Sequence, residues 1–217
     1  MSCSRPCTDC APTPTGAEFF PLKIGTFVEY EVQEQEFALG RPPVERSYQL
    51  KELMAEKYQN VAGQAAYRIV RFYRQNAAQS WQPDSTITLR ITTNGQAIRN
   101  ENGRDFLKMT LPVYEKATWN GNAYNALGQD QYEASRVGKP FKVNGQTFER
   151  TATVVQQNDS TLVGQDKRLE IYAADVGLIY RENNNVQFCS SLPACVGKAQ
   201  IDFGKRQYVR FKKMGLE

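Results

Sequence analysis

The chain has 217 residues, with 27 lysines and arginines against 23 acidic residues, so its formal net charge is only +4. Hydrophobic residues make up 41% and charged residues 23%, a balance typical of a globular protein and long enough for one large β domain. Basic residues are interspersed with acids, which argues against a nucleic-acid partner. No apolar run approaches the roughly 20 residues that a membrane-spanning helix needs.

The chain contains no histidine. Imidazole general bases, Ser-His-Asp and Cys-His nucleophile systems and imidazole metal ligands are therefore excluded. The Gly-x-Ser-x-Gly motif and the Gly-Lys-Ser/Thr phosphate loop are also absent from the sequence. We predict a protein that is not an enzyme, with no cofactor and no metal site.

Residues 84–100 show a pattern that recurs along the chain, an alternating strand followed by a tight turn. Residues 86–92 alternate polar and apolar side chains, the period of a half-buried strand. Asn94-Gly95 follows, the strongest short hairpin signal, because both residues of a tight turn need positive φ. As a two-residue loop, this dipeptide would pair Ile91 with Ile98 and keep one apolar face continuous.

A second hairpin is predicted at Asn144-Gly145 by the same rule. With that loop, Phe141 pairs with Phe148, an aromatic pair of the kind that stabilises a β ladder. Asn120-Gly121 supplies another turn signal.

Further strands are predicted where β-branched and aromatic residues lie between turn signals. They cover residues 27–35, 46–58, 66–74, 106–109, 111–114, 130–137, 147–157, 168–173, 178–181, 186–189, 200–203 and 206–212. Segment 46–58 also fits helical spacing, and we interpret it as a strand because its neighbours are strands. Charges on both faces of 66–74 indicate an edge strand or a strand lining a solvated concavity. Residues 183–185, three asparagines, predict a turn.

About a dozen short strands with little helix predict an all-β fold. The pattern is typical of a curved antiparallel sheet, a half-barrel or a sandwich with several Asn-Gly hairpins. Residues 1–16, rich in proline and threonine, are predicted to be a flexible lipoprotein tether. Residues 17–217 are predicted to be a single antiparallel β domain.

Five cysteines lie near the two ends of the chain: Cys3, Cys7, Cys10, Cys189 and Cys195. Ser2-Cys3 looks like the end of a bacterial lipobox, which predicts lipidation of Cys3; an ordinary cysteine in a tail is the alternative. The other four suit two disulfides in an oxidising envelope, with three possible pairings. A four-thiolate zinc site or free thiols remain the alternatives.

Two motifs carry a resemblance to a known group. Pro21-Leu22-Lys23-Ile24-Gly25 precedes Tyr30, and Tyr172-Ala173-x-Asp175-Val176-Gly177-Leu178 lies near the other end. The chain thereby resembles Bacteroidetes-type cell-envelope lipoproteins without an assigned activity, in which a PLKxG…Y opening and a YAxGVGL closing segment bracket a β domain. Asp175 stands where that group more often has glycine. The resemblance implies a lipid-anchored protein at the outer membrane or periplasmic face, with secretion as the alternative. A likeness to half-barrel carriers of lipid acyl chains is fold-level analogy.

Five aromatic residues form a candidate ligand-binding set: Trp81, Tyr114, Trp119, Tyr124 and Tyr132. Gathered at one rim of a sheet, they would make a stacking platform for a sugar or the mouth of an apolar cavity. The competing interpretation is that they anchor the core and the loops. Ser85 and Ser160 each lie in Asp-Ser-Thr, similar to the O-glycosylation acceptor of Bacteroidetes-type envelope proteins. Turn formation by Asp-Ser is the alternative for both.

Two carboxylate pairs could serve a hydrolase: Glu101 with Asp105, and Glu170 with Asp175. We interpret both pairs as solvated strand ends. The sequence therefore predicts a lipid-anchored binding or scaffolding module, attached to the membrane through its lipid and taking a small-molecule, glycan or protein ligand. A carboxylate-dependent, glycosidase-like hydrolase and a half-barrel carrier of an apolar ligand are the alternatives, and a purely structural role is a third.

Overall fold

The computed structural model describes residues 16–217, in which a 3-10 turn at Ala17–Phe19 precedes twelve strands. The strands are β1 (Thr26–Phe37), β2 (Val44–Gln59), β3 (Ala65–Arg74), β4 (Gln82–Ile91), β5 (Gln96–Glu101), β6 (Arg104–Thr110), β7 (Thr118–Asn120), β8 (Gln131–Val143), β9 (Gln146–Ser160), β10 (Gly164–Ala173), β11 (Gly177–Phe188) and β12 (Ile201–Leu216). Within these residues no helix has the length and apolar character that crossing a bilayer requires. Cys3, Cys7, Cys10 and the predicted tether before Gly16 lie outside the described residues.

All twelve strands belong to one antiparallel sheet, in the order β6-β5-β4-β3-β2-β1-β12-β11-β10-β9-β8-β7. The pairing of β1 with β12 joins the two halves of the chain. The two edge strands then approach each other: Leu107 N–H donates to Gly121 O at 2.9 Å, and the Trp119 indole N–H donates to Leu107 O at 3.0 Å. The sheet is therefore a nearly closed barrel. The all-β prediction is confirmed, and the curved-sheet alternative describes it rather than the sandwich.

The barrel has two different ends, because successive antiparallel connections alternate between them. We call the closed end the one with the β2–β3, β4–β5, β6–β7, β8–β9 and β10–β11 connections, and the other the open end. Phe19 and Phe20 are buried at the closed end, where Phe20 packs on Tyr172 with ring centroids 5.0 Å apart. Asp175 N–H donates to Glu18 O at 2.7 Å. The residues before β1 thus plug this end.

The Asn94-Gly95 hairpin differs from its prediction. Thr92 N–H donates to Gln96 O, Gly95 N–H donates to Thr92 O, both at 3.0 Å, and Gly95 has φ of 72°. This is a three-residue loop, a type I turn followed by a left-handed glycine. The extra residue pairs Ile91 with Ala97. The predicted pairing of Ile91 with Ile98 is therefore wrong, and the two side chains lie on opposite faces of the sheet.

The Asn144-Gly145 hairpin is the predicted two-residue turn. Both residues have positive φ, 47° and 83°, and Phe141 pairs with Phe148 as predicted. Asn144 Nδ2 also donates to Phe211 O at 3.0 Å, so this hairpin tip is held against β12. Asn102-Gly103 forms a similar turn, with φ of 52° and 77°, that the sequence interpretation overlooked.

The strand pairing decides two strand predictions and one turn prediction. Segment 46–58 is a strand, as predicted, within β2. The turn predicted at residues 183–185 is wrong, because these asparagines lie inside β11, where Asn184 Nδ2 donates to Glu182 Oε1 at 2.7 Å. The short strand predicted at 111–114 is also absent: β6 ends at Thr110, and Pro112 has no N–H with which to continue a ladder.

A disulfide joins Cys189 to Cys195. It closes part of the connection between β11 and β12, at the open end. Because both sulfurs are in the disulfide, Cys189 and Cys195 do not serve as ligands of the alternative four-thiolate zinc site. Whether Cys7 and Cys10 form the second predicted disulfide concerns residues outside those described.

Two hairpin glycines provide a matched test of the fold. Gly95 and Gly103 both have left-handed φ, 72° and 77°, but a Cβ at Gly95 would collide with the Leu111 carbonyl, whereas a Cβ at Gly103 meets nothing within 4 Å. We expect Gly103→Ala to lower the free energy of unfolding by about 1 kcal/mol through backbone strain. Gly95→Ala should cost about 2 kcal/mol more, because Leu111 must move. Urea denaturation followed by tryptophan fluorescence measures both, and equal losses would contradict the close approach.

Candidate functional site

Charged side chains cross the interior of the barrel at mid-height. We call this set the charged layer: Glu52, Arg71, Arg99, Glu101, Lys108, Glu170 and Arg181. Arg181 on β11 contacts Glu101 on β5 at 3.3 Å, and Lys108 on β6 contacts Glu170 on β10 at 3.1 Å. These strands are not neighbours in the sheet, so the ion pairs span the lumen.

Glu170 is the most enclosed member of the layer, with 2% of its surface exposed. Its Oε1 contacts Arg181 Nη2 at 2.8 Å and Lys108 Nζ at 3.1 Å, and its Oε2 accepts a hydrogen bond of 2.6 Å from the Tyr172 hydroxyl. Glu101 lies 3.5 Å from the same lysine and 3.3 Å from the same arginine. Two cations are thus shared between two carboxylates.

The layer continues toward β2 and β3. Arg99 contacts Glu101 at 2.8 Å and Glu52 at 2.5 Å. Glu52 lies 3.4 Å from Arg71, which borders the water-accessible part of the lumen. The result is an alternating chain of four cations and three carboxylates.

Burial and ion pairing act in opposite directions on these carboxylates. Burial alone would raise the pKa of Glu170, but Lys108 and Arg181 lower that pKa to about 2. The pKa of Glu101 is likewise held far below its usual range, since Lys108 and Arg181 outweigh its burial. The pKa of Glu52 is lowered by Arg99 and Arg71, although desolvation of the carboxylate acts in the opposite direction. All three are ionised at neutral pH, so none has the proton that a general acid donates.

Three adjacent cavities lie between the charged layer and the open end. Their volumes are about 450, 240 and 160 Å³, and Gln207 borders all three. Amide and phenol groups on their walls belong to Tyr48, Tyr73, Asn102, Tyr132, Gln156 and Asn183. The 240 Å³ cavity has Glu101, Lys108, Glu170 and Arg181 in its wall, so the charged layer is its floor. The open half of the lumen is therefore a hydrophilic chamber.

Below the charged layer the lumen is apolar and nearly full. A cavity of only about 60 Å³ remains there, bordered by Phe19, Phe20, Met54, Ile69 and Leu178. Ligand pockets of proteins usually measure about 300 to 1,000 Å³. The closed half therefore functions as core, and the space for a ligand lies on the open side.

The five aromatic residues of the predicted set do not form one platform. Trp119 and Tyr132 are buried with ring centroids 6.3 Å apart, and Tyr132 borders the 240 Å³ cavity. Trp81 lies on the outside of the sheet, its ring 4.0 Å from the Arg74 guanidinium. Tyr114 and Tyr124 are exposed. The structure thus brings two of the five together.

The predicted carboxylate pairs are separated by the fold. Asp105 pairs with Arg90 at 2.6 Å and faces away from the lumen, opposite Asn100 in the ladder, whereas Glu101 belongs to the charged layer. Asp175 is exposed, but Glu170 is buried inside β10, so the interpretation of these pairs as solvated strand ends is wrong for Glu170. The carboxylates that do meet, Glu101 and Glu170, are joined through shared cations. Across residues 16–217 no group of three or more cysteine, aspartate or glutamate side chains is arranged to hold a metal ion.

The two serines of the predicted glycosylation motifs differ in position. Ser85 lies within β4, borders the 450 Å³ cavity and donates to Asp84 Oδ2 at 2.8 Å. Ser160 is exposed at the end of β9. Modification of either serine stays a prediction.

The charged layer was not recognised in the sequence, although a signal for it existed. Glu52 alternates with Leu50 and Met54, so strand periodicity places a carboxylate on the face that those apolar residues bury. The solvated concavity suggested for 66–74 is confirmed at Arg71, which lines the lumen. No local pattern indicated which opposite charges would meet.

Comparisons with known proteins return only distant likenesses. No family model and no curated protein matches the chain. A protein of Bacteroides fragilis, thought to be exported and described as having a YmcC-like fold, is 11% identical, with a TM-score of 0.40 over 91% of this chain and 98% of that one. A protein of Parabacteroides distasonis, thought to be a lipoprotein, is 11% identical, with a TM-score of 0.38 over the same shares. Lipovitellin is 10% identical, with a TM-score of 0.40 over 90% of this chain and 26% of that chain. At these values the comparisons assign no function.

The charged layer predicts a specific pH dependence of stability. We expect Glu170→Gln to lower the free energy of unfolding by about 3 kcal/mol at pH 7, because it leaves Lys108 and Arg181 incompletely paired. The folded pKa of about 2 lies below the unfolded value of about 4.3, so the contribution of Glu170 is present above pH ~4.3 and is lost as pH falls toward 2. The difference in free energy of unfolding between the parent protein and Glu170→Gln should therefore decrease as the pH is lowered from about 4.3 to about 2.

Urea denaturation at a series of pH values measures this difference. Glu31→Gln is the matched control, because Glu31 is exposed and lies 3.7 Å from Lys212. It should change stability by less than about 1 kcal/mol at every pH. A loss for Glu170→Gln no larger than for this control would contradict the structural role of the layer.

Proposed function

We propose that this protein is a lipid-anchored binding module of the bacterial cell envelope, and that its ligand occupies the open half of the lumen. The observation that carries the proposal is the hydrophilic chamber, formed by three adjacent cavities that share Gln207, above the charged layer. The Ser2-Cys3 sequence supports the anchor and a position at the outer membrane or periplasmic face. A chamber that remains after the interior ion pairs have formed is typical of a binding site rather than of packing.

The chamber favours an uncharged ligand with many hydroxyl groups. Apart from Asp84, which accepts a hydrogen bond from Ser85, its charged wall residues are already paired with opposite charges. Arg168 contacts Asp130 at 2.8 Å, and Lys205 contacts Glu34 at 3.2 Å. A ligand with a net charge would have to compete with these pairs. The amides of Gln156 and Asn183 each offer both a donor and an acceptor, which suits hydroxyl groups. We therefore propose a saccharide as the ligand class.

The same features argue against the two alternative functions. An apolar ligand such as an acyl chain would have to displace the charged layer, because the apolar half retains only about 60 Å³. A glycosidase-like hydrolase needs one carboxylic acid with a raised pKa beside an ionised carboxylate. Glu101 and Glu170 both have lowered pKa values, so neither supplies that acid.

The proposed site is tested by removing two amides from its wall. Asn183 and Gln156 border the 240 Å³ cavity and are not core residues. An array of bacterial-type oligosaccharides identifies a ligand, and isothermal titration calorimetry then measures its affinity. Asn183→Ala combined with Gln156→Ala should weaken binding about tenfold or more, because each lost hydrogen bond contributes about 0.5 to 1.5 kcal/mol.

Gln146→Ala is the control for this experiment, because Gln146 is exposed at the closed end. It should leave the affinity unchanged, and all variants should keep the thermal unfolding midpoint of the parent protein within about 3 °C. An array without any bound saccharide would contradict the ligand class. An unchanged affinity in the double variant would contradict the location.

The lipid anchor has a separate test in the native host. The protein should fractionate with the membranes, and its mass should exceed that of the chain from Cys3 to Glu217 by the mass of the added lipid. Cys3→Ser should shift it into the soluble envelope fraction, because an acylated cysteine with two or three chains binds a bilayer stably. Retention of Cys3→Ser in the membrane fraction without added mass would contradict the anchor.

A further inference from the structure

The connections at the open end have an unusual composition. They comprise residues 38–43, 75–81, 102–103, 121–130, 161–163 and 189–200, which we call the rim. The rim contains three charged residues, Arg41, Asp130 and Lys198, although 23% of the whole chain is charged. Asp130 is paired with Arg168 at 2.8 Å. The charges that remain on the rim are therefore both positive.

Exposed aliphatic side chains project from separate connections of the rim. Leu162 is 68% exposed, Leu192 is 61% exposed and Leu39 is 59% exposed. Leu127, Val163 and Val196 are also exposed. Large apolar side chains on the surface usually occur singly among polar neighbours, whereas these surround the mouth of a hydrophilic chamber.

Part of the rim is braced. The Cys189–Cys195 disulfide closes the segment that contains Leu192. Phe188 N–H donates to Val163 O at 2.9 Å, which ties the β11–β12 connection to the β9–β10 connection. The aliphatic tips of these two connections are thus held in place together.

We propose that the rim docks onto the surface of an anionic lipid bilayer, with its aliphatic tips inserted among the headgroups. Interfacial membrane contacts combine apolar side chains with unopposed lysine and arginine, as the rim does. Protein interfaces are instead enriched in tyrosine, tryptophan and arginine. The aromatic residues of these connections are engaged elsewhere: Trp81 is stacked on Arg74, and the Tyr124 hydroxyl reaches back to Gln96, where β5 begins at the closed end. In this position the chamber opens toward the headgroup layer.

The docking does not depend on saccharide binding, so the two proposals fail separately. The probe is a suspension of vesicles of phosphatidylcholine with about one quarter phosphatidylglycerol, which contain no sugar. The non-acylated 217-residue chain is mixed with these vesicles, and the bound fraction is measured by flotation. We expect the chain to bind, and to bind roughly tenfold more weakly to pure phosphatidylcholine, because two cations face the surface.

Variants of the rim locate the contact. Leu162→Gln combined with Leu192→Gln should lower the partition coefficient about tenfold or more, because both side chains would otherwise enter the bilayer interface. Val61→Gln is the matched control, since Val61 is fully exposed in the β2–β3 connection at the closed end. It should leave the partition coefficient within about twofold of the parent value. Saccharide affinity, measured without vesicles, should be the same in all three proteins.

Several outcomes would overturn the proposal. The parent chain could fail to float with anionic vesicles, or Val61→Gln could reduce flotation as strongly as the double rim variant. Sedimentation velocity of the same proteins tests the competing possibility that the rim binds a second copy of this chain. A dimer that is lost in the rim variant, without vesicle binding by the parent, would assign the rim to a second copy of this chain instead.

Discussion

The ion pairs that cross the lumen are the constraint on which the rest of this structure depends. Lys108 on edge strand β6 meets Glu170 on β10, and Arg181 on β11 meets Glu101 on β5. These contacts join parts of the sheet that share no ladder hydrogen bonds, including strands on both sides of the seam between β6 and β7. Removing these groups from water is costly, and the layer is tolerable because each carboxylate has at least two cationic neighbours.

The charged layer also divides the interior of the barrel into two chemically different halves. On one side, Phe19 and Phe20 and their apolar neighbours fill the closed end. On the other side, the lumen stays hydrated, because charged and amide groups form its walls and floor. The residues before β1 enter at the closed end, and the charge-poor rim surrounds the opposite mouth. The chamber thus lies between the plugged end and the rim along the axis of the barrel.

Several features of the fold could be predicted because they depend on neighbouring residues. The period-2 alternation in β2 and the Asn144-Gly145 turn are local properties, and the structure has them where the sequence indicates. The Asn94-Gly95 turn shows the limit of local rules. The same dipeptide serves a two-residue and a three-residue loop, and the choice decides which side of the sheet Ile98 faces.

The sequence by itself determined an all-β chain with tight turns, no histidine chemistry and cysteines near both ends. The tertiary structure alone decided the pairing of β1 with β12, the inclusion of Asn184 in a continuous strand and the assembly of the charged layer. The physical reason is distance along the chain. A glutamate such as Glu170 faces an interior only when Lys108, 62 residues away in sequence, arrives from the other side of the lumen to neutralise it.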